Sequence, residues 1–436
     1  MPGRIMVDVT PLRESRGFRL LFIGQLISMM GTQLTVVAIP FQVYRMTHSS
    51  LQVGAISLAQ FVPLIAGSLI GGPLGDQLDR RRLMLWSTAA SVVTSALLAG
   101  NASLTHPSLL ALYLVSAGAA GLAGFANTAR NASVPALVER RHLTAAFSFM
   151  QVIMQVGTVV GPALSGFLLG IGLRLVYGLD AATFVVALIS VILMPAIPPV
   201  ESNDLSAWES AKEGMRYLRS RQALQGVYIV DINAMVFGMP RALFPAMAGS
   251  VFGGGTITLG FLYAAPGVGA LIGAVTTGWV EHIRRQGRMV IFAVVAWGAA
   301  ITVFGLAHLL WLALVMLALA GWADVISAVL RSTILQTSIP DRFRSRMSSI
   351  QMAVVQGGPR LGDMESGSVA TLTSTGFSVV SGGLACMAGA AVIALLMPQF
   401  RNHVYVGGEH GPDDPHGTPG PSGPTDPIDP INDGPV

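Results

Sequence analysis

Gly72-Pro73-Leu74-Gly75-Asp76-Gln77-Leu78-Asp79-Arg80-Arg81-Arg82 places two acids and three arginines in a short link between long apolar segments. Hydrocarbon accepts that much charge only at its border, so the stretch reads as a turn at a membrane surface joining two spans. Gly71, Gly72 and Gly75 let a neighbouring helix come close, and Asp76 with the arginines beyond it can form a charge lock between moving parts. The plainer alternative is a basic loop that follows the excess of positive charge on the inner side of membranes.

The rest of the chain has the composition such a turn requires. Its 436 residues are 52% hydrophobic and 11% charged, with mean hydropathy +0.63, outside the usual range of soluble domains. A helix needs ~20 apolar residues to cross a bilayer. Spans are expected at residues 18-44, 51-74, 83-101, 107-129, 145-171, 175-196, 223-250, 256-279, 288-307, 309-335, 345-370 and 374-398. The long runs of Leu, Val, Ala and Gly do not alternate, which excludes a β-barrel. Cys386 is the only cysteine, so no intramolecular disulfide forms and a cysteine-based metal site is not expected. The charged start of the chain lacks the short apolar core and cleavage site of a signal peptide, so the first run should remain as a membrane helix.

The links set an orientation. With a cytoplasmic amino terminus, the arginines outside the spans all fall on the inner side except Arg45 and Arg174. That bias predicts an even number of crossings with both termini inside a bacterial plasma or inner membrane. The same scatter of positive charge through short links argues against nucleic acid as a partner. Five parts are expected: a cytoplasmic segment 1-17, a six-helix bundle 18-197, a linker 198-222, a second bundle 223-400 and a tail 401-436. Trp208, Met215, Tyr217 and Leu218 among Glu209, Lys212, Glu213, Arg216 and Arg219 give the linker an amphipathic helix lying on the membrane face. The Pro/Gly/Asp tail buries too little apolar surface to fold and is expected to be disordered.

The two bundles repeat one another at a period of about 200 residues. Arg130 ahead of Val134-Pro135 matches Arg331 ahead of Ile339-Pro340, and Gly161-Pro162-Ala163-Leu164 returns as Gly358-Pro359-Arg360-Leu361. The opening turn returns in decayed form as Gly278-Trp279-Val280-Glu281-His282-Ile283-Arg284-Arg285.

With these features the chain resembles the major facilitator superfamily and, within it, the enterobactin-exporter family of siderophore and drug efflux carriers. The superfamily pattern G-x-L-A-D-R-x-G-R-R is matched by Gly72, Leu74, Asp76, Arg80 and Arg81. Gly75, Gln77 and Asp79 depart from it, and Asp79 in place of the later Gly is expected to alter the turn, because Asp adopts positive φ less easily. A second pattern, G-x-x-x-G-P-x-x-G-G, marks exporters of the antiport type and stands here as Gly157, Gly161, Pro162 and Gly166, with Ser165 as its one departure. Its plainer reading is a close helix contact between small residues. Phe237-Gly238-Met239-Pro240-Arg241, Val251-Phe252-Gly253-Gly254-Gly255 and Leu330-Arg331-Ser332-Thr333 resemble the exporter family more specifically.

The resemblance implies an all-α fold of twelve transmembrane helices in two pseudo-symmetric six-helix bundles. It also implies a small molecule moved outward across the membrane by proton antiport. A nutrient importer or facilitator of the same fold is the alternative, and a non-transporting membrane scaffold a third reading. The chain is not expected to be an enzyme, since no nucleophile, base and metal set emerges. It has no G-x-x-x-x-G-K-[ST] loop for ATP, so an ion gradient is the expected energy source, with no bound cofactor. A monomer is expected.

Charges inside spans are costly, which makes each a candidate site. Asp324, in the middle of its span, and Asp231 are the candidates for proton coupling. Arg241, Arg360, Asp363 and Glu365 are candidates for substrate contact or for neutralising one another. Arg130 and Arg331 are read as the ends of equivalent spans, where they either join the cytoplasmic gate with Gly72, Asp76, Arg80 and Arg81 or act as positive-inside anchors. Asp180 is expected to cap or join a helix at the outer end of its span.

Overall fold

The computed structural model describes residues 9–197 and 207–404. Its twelve long helices are α1 (Arg16–Thr47), α2 (Ser50–Gln77), α3 (Arg80–Ser103), α4 (Leu109–Leu137), α5 (Leu143–Ile171), α6 (Leu173–Ile192), α7 (Gln222–Phe237, resuming at Phe244–Ser250), α8 (Thr256–Thr276), α9 (Gln286–Leu306), α10 (Leu310–Ser338), α11 (Asp341–Leu372) and α12 (Thr375–Leu396). Eleven of them are long and apolar enough to cross a membrane. The exception is α11, which carries Asp341, Arg342, Arg344, Arg346, Arg360, Asp363 and Glu365 along its 32 residues. Its length and its place in the repeat identify it as the twelfth crossing.

Local sequence sets the helix starts. Ser15, Ser49, Asp79, Ser108 and Ser374 each accept a backbone N–H from the first turn that follows, leaving fewer donors unmet there. Ser15 also donates to Leu137 O at 2.6 Å, which ties the start of α1 to the end of α4.

The packing shows the repeat in three dimensions. In the first half α1 packs on α5 and α6, α2 on α4, and α3 on α4 and α6; shifting each number by six gives the packing of the second half. The halves meet through α2 with α11 and α5 with α8, two contacts that the same shift exchanges. Such a pattern defines two six-helix bundles related by a pseudo-twofold axis. Twelve alternating crossings put the start of α1, the linker and the end of α12 at one end of the bundle, here the terminal end; the opposite end is the distal end.

Across the interface, the close backbone approaches run from mid-membrane to the distal end. Gly54 faces Asp363 and Met364, Gly367 faces Ser50 and Leu51, and Gly166 faces Thr256 and Gly260. A Cβ on Gly166 would stand 2.8 Å from the Cα of Gly260, so these two positions require glycine for the helices to touch. Gly157 and Gly161 of the small-residue pattern instead receive Met29 and Gln33 of α1, within the same half.

The turn between α2 and α3 is a correction. Asp79 does not strain it: with φ −57 it is the N-cap of α3, its carboxylate accepting the Arg81 N–H at 2.8 Å. Arg81, expected in the gate, donates to Val191 O at 3.2 Å and Ile192 O at 2.6 Å at the end of α6. Arg80 is 7% exposed. The surroundings of Gly72 and the side chain of Asp76 lie outside what is described.

In the linker, helix Ala207–Arg219 rests on α11 through Tyr217, whose ring stacks on Phe343 at 4.4 Å. Residues 1–8, 198–206 and 405–436, including most of the tail expected to be disordered, fall outside the described residues.

Candidate functional site

The site begins at an interruption of α7. Gly238 and Pro240 stop the helix after Phe237, and a single 3₁₀ turn, Arg241–Leu243, precedes its resumption at Phe244. Proline supplies no N–H and glycine adds backbone freedom, so the ladder of helical bonds breaks here. Within a bilayer the freed groups need partners, and three helices supply them. Trp297 of α9 donates its indole N–H to Gly238 O at 2.9 Å, Tyr263 of α8 donates to Arg241 O at 3.2 Å, and Ala242 N–H donates to Asp363 Oδ1 of α11 at 3.1 Å. Irregular backbone at this depth is tolerated where it is buried in protein or lines a cavity.

A cavity of roughly 360 Å³ adjoins the break at the meeting of the halves. Gln33, Gln155 and Pro162 line it from the first half, and Arg241, Phe244, Tyr263, Trp297 and Asp324 from the second. Its polar groups therefore converge on a mostly apolar chamber, the usual form of a small-molecule site. Two further crevices, around Arg174 and around Tyr113, are each lined from a single half and carry no acid.

On the second-half wall, Arg331 of α10 links two acids from different helices. Its Nη1 lies 2.9 Å from Asp231 Oδ1 of α7, and its Nη2 lies 3.8 Å from Asp324 Oδ1, two turns earlier on the same face of α10. Arg331 and Asp231 side chains are each 5% exposed, whereas Asp324 is 30% exposed because it faces the cavity. The contact with Asp231 is ionic in geometry, since Nη1–H points to Ser327 Oγ at 3.1 Å. One guanidinium thus serves two carboxylates, and a second, that of Arg241, lines the same cavity as Asp324.

Several expectations change. Arg130 and Arg331 do not end their helices: α4 runs on to Leu137 and α10 to Ser338, two turns past each arginine. Arg331 is consequently not an exposed anchor; it is the centre of the buried triad. Arg130 reaches across to α1 and donates to Gln25 Oε1. Arg360 and Asp363 form no ion pair among the described residues: Asp363 supports the α7 break, and Arg360 Nη1 bonds Gln356 O on its own helix at 2.7 Å. Glu365, also on α11, is partly buried. Asp180 lies inside α6 and is 2% exposed, joining three helices by accepting from Thr35 at 2.8 Å and Ser95 at 2.7 Å.

Tyr263, Phe244 and Trp297 were missed, because an aromatic residue in an apolar run reads alike whether it faces lipid, core or cavity. The triad did leave a signal. Asp324 and Arg331 are seven residues apart, which puts them on one helix face two turns from each other.

Comparisons with known proteins agree with this architecture. The sequence profile of the transmembrane secretion effector family matches residues 7–412. The enterobactin exporter EntS of Escherichia coli K12 is 30% identical over 398 residues, covering 91% of this chain and 95% of that protein. EntS of Escherichia coli O1:K1 is likewise 30% identical over 397 residues, with 91% and 95% covered. Among solved structures, the nucleoside transporter NupG superposes with a TM-score of 0.64 at 14% identity, covering 88% of this chain and 98% of that one. A POT family transporter in complex with 5-aminolevulinic acid gives a TM-score of 0.70 at 12% identity, with 88% and 97% covered. At such low identity these two show the shared fold.

Proposed function

The chain belongs to the transmembrane secretion effector family of the major facilitator superfamily, and from that membership we propose that it exports a small molecule, a catecholate siderophore or an amphipathic drug, by proton antiport. The cargo class is suggested by the enterobactin exporters that match 91% of the chain. The coupling is supported by one observation above all: the Asp231–Arg331–Asp324 triad, in which two carboxylates share one guanidinium and Asp324 stands at the cavity wall.

A proton on Asp324 leaves Arg331 to Asp231 alone, so protonation changes how the guanidinium is shared at the cavity wall. Cargo and proton then compete for one chamber, the arrangement an antiporter needs. The terminal end is the cytoplasmic one in this reading, in keeping with the arginine bias of the links. Contact between the halves from mid-membrane to the distal end supports a state closed to the outside, and rocking about the cavity would expose it in turn to the other side.

Everted membrane vesicles containing the chain test this. Respiring vesicles should accumulate enterobactin or ethidium, an uncoupler should abolish accumulation, and Asp324→Asn at equal expression should behave as the uncoupled wild type. Accumulation that survives the uncoupler removes the coupling.

A further inference from the structure

Asp180 is a buried acid that neither the cavity nor the triad uses. It lies on α6 of the first half, 2% exposed, where α6 packs against α1 and α3. Its Oδ2 accepts from Thr35 Oγ1 of α1 at 2.8 Å and from Ser95 Oγ of α3 at 2.7 Å. Its Oδ1 is buried with no hydrogen-bond partner and lies against Gly31 of α1, where a Cβ would stand 2.6 Å from it. Two hydroxyls on one oxygen and nothing on the other replace only part of the water that a full negative charge requires.

No cation compensates it. Every side chain of α1, α3, α5 and α6 is described. Between Arg19 and Arg45 α1 carries no charged residue, α3 carries none after Arg82, and α5 none at all. Arg45 lies about 15 Å along α1 from Thr35, and Arg82 about 20 Å along α3 from Ser95. On α6 itself Arg174 is exposed at the distal rim, about 9 Å along the axis and on a different face, and makes no ion pair with Asp180. Tyr177, one turn from Asp180, is buried and donates its hydroxyl to Gln42 Oε1 at 2.7 Å.

An ionised carboxylate in this setting would be a bare charge inside a lipid-embedded bundle, and such groups neutralise themselves instead. A neutral carboxyl fits the geometry. Its Oδ2–H can donate to one of the two hydroxyls, because a hydroxyl accepts as well as donates; that hydroxyl then turns its own hydrogen to the carbonyl one turn back on its helix. Oδ1 becomes an uncharged carbonyl oxygen, which costs much less to leave unmet than a charged one.

We propose that Asp180 is a proton-binding site of the first half, its carboxyl holding a proton between α6 and the hydroxyls of Thr35 and Ser95 while α1, α3 and α6 are packed as here. α1 presents Gly31 and Thr35 to this site and, on its opposite face, Gln33 and Val36 to the cavity. The proton is thus held through a helix that also walls the cavity. Drawing α1 away from α3 and α6 would let water reach the carboxyl and take the proton. The site requires neither cargo nor coupling at Asp324, so it stands apart from the export reading.

Infrared spectroscopy of the purified full-length protein in lipid nanodiscs tests this, since a protonated carboxyl has a carbonyl band that an ionised one lacks. At about pH 7 an ordinary aspartate is almost wholly ionised. The difference spectrum of wild type minus Asp180→Asn should nevertheless contain a protonated-carboxyl band amounting to one group per chain, and the same band in sodium and in choline buffer. A second variant leaves the acid in place: Thr35→Val with Ser95→Ala removes both hydroxyls and should shift the band to higher frequency, as loss of hydrogen bonding does to a carboxyl. Absence of the band from the difference spectrum, or a band that the double substitution leaves unmoved, overturns the proposal. So does a band that sodium abolishes, which would give the carboxylate to a metal ion.

Discussion

Arg331 is the residue that holds the site together. Its two acids come from α7 and α10, so it joins helices as well as charges. Truncating one member of a buried ion pair strands the other, at a cost of about 3–5 kcal/mol. Arg331→Gln should therefore lower the thermal unfolding temperature of the purified protein markedly, while adding Asp231→Asn should restore most of the loss; equal and additive losses would show that the two do not interact. Asp324 was legible in the sequence, since an acid in the middle of an apolar run has few explanations. Arg331 was not read correctly, because the sequence does not reveal that α10 continues to Ser338 and carries the arginine into the interior. The same misjudged helix end concealed the partnership of Arg130 with Gln25.

At the element scale, the interruption of α7 and the contact of α5 with α8 matter most. Gly238, Met239 and Pro240 were visible as a distinctive wording, but the reason for it is tertiary: Trp297, Tyr263 and Asp363 approach from three other helices to satisfy the broken backbone. No local pattern announces that. The small-residue pattern of α5 was legible as a packing face, yet its members divide their work, with Gly157 and Gly161 against α1 and Gly166 against α8 of the other half. Gly166→Val should hold the halves apart, since even a Cβ there would stand 2.7 Å from Thr256 O. In a C386S background, the cysteine pair G170C and T256C should cross-link readily, because a Cβ on Gly170 lies 3.3 Å from Thr256 Oγ1. Adding Gly166→Val should suppress that cross-link; undiminished cross-linking would show that the interface closes without glycine.

Across the whole molecule, the twofold repeat was legible because three separate wordings return at one period, and the packing of helices follows the same shift by six. Hydropathy alone falls one crossing short, for α11 is too charged to register. What the repeat conceals is its breakage. Asp231, Asp324, Asp363, Arg241 and Arg360 all belong to the second half, while the first half keeps the fold of the site with Gln25 in the place of an acid. The halves have thus diverged in charge while retaining one geometry, and the proposed ion coupling lies in the second. Proton movement accompanying cargo addresses this division directly. In proteoliposomes acidic inside, adding enterobactin outside should dissipate the pH gradient, recorded by a fluorescent pH indicator, for wild type and not for Asp324→Asn. A gradient that decays equally in both, or cargo uptake without any proton efflux, would contradict the account.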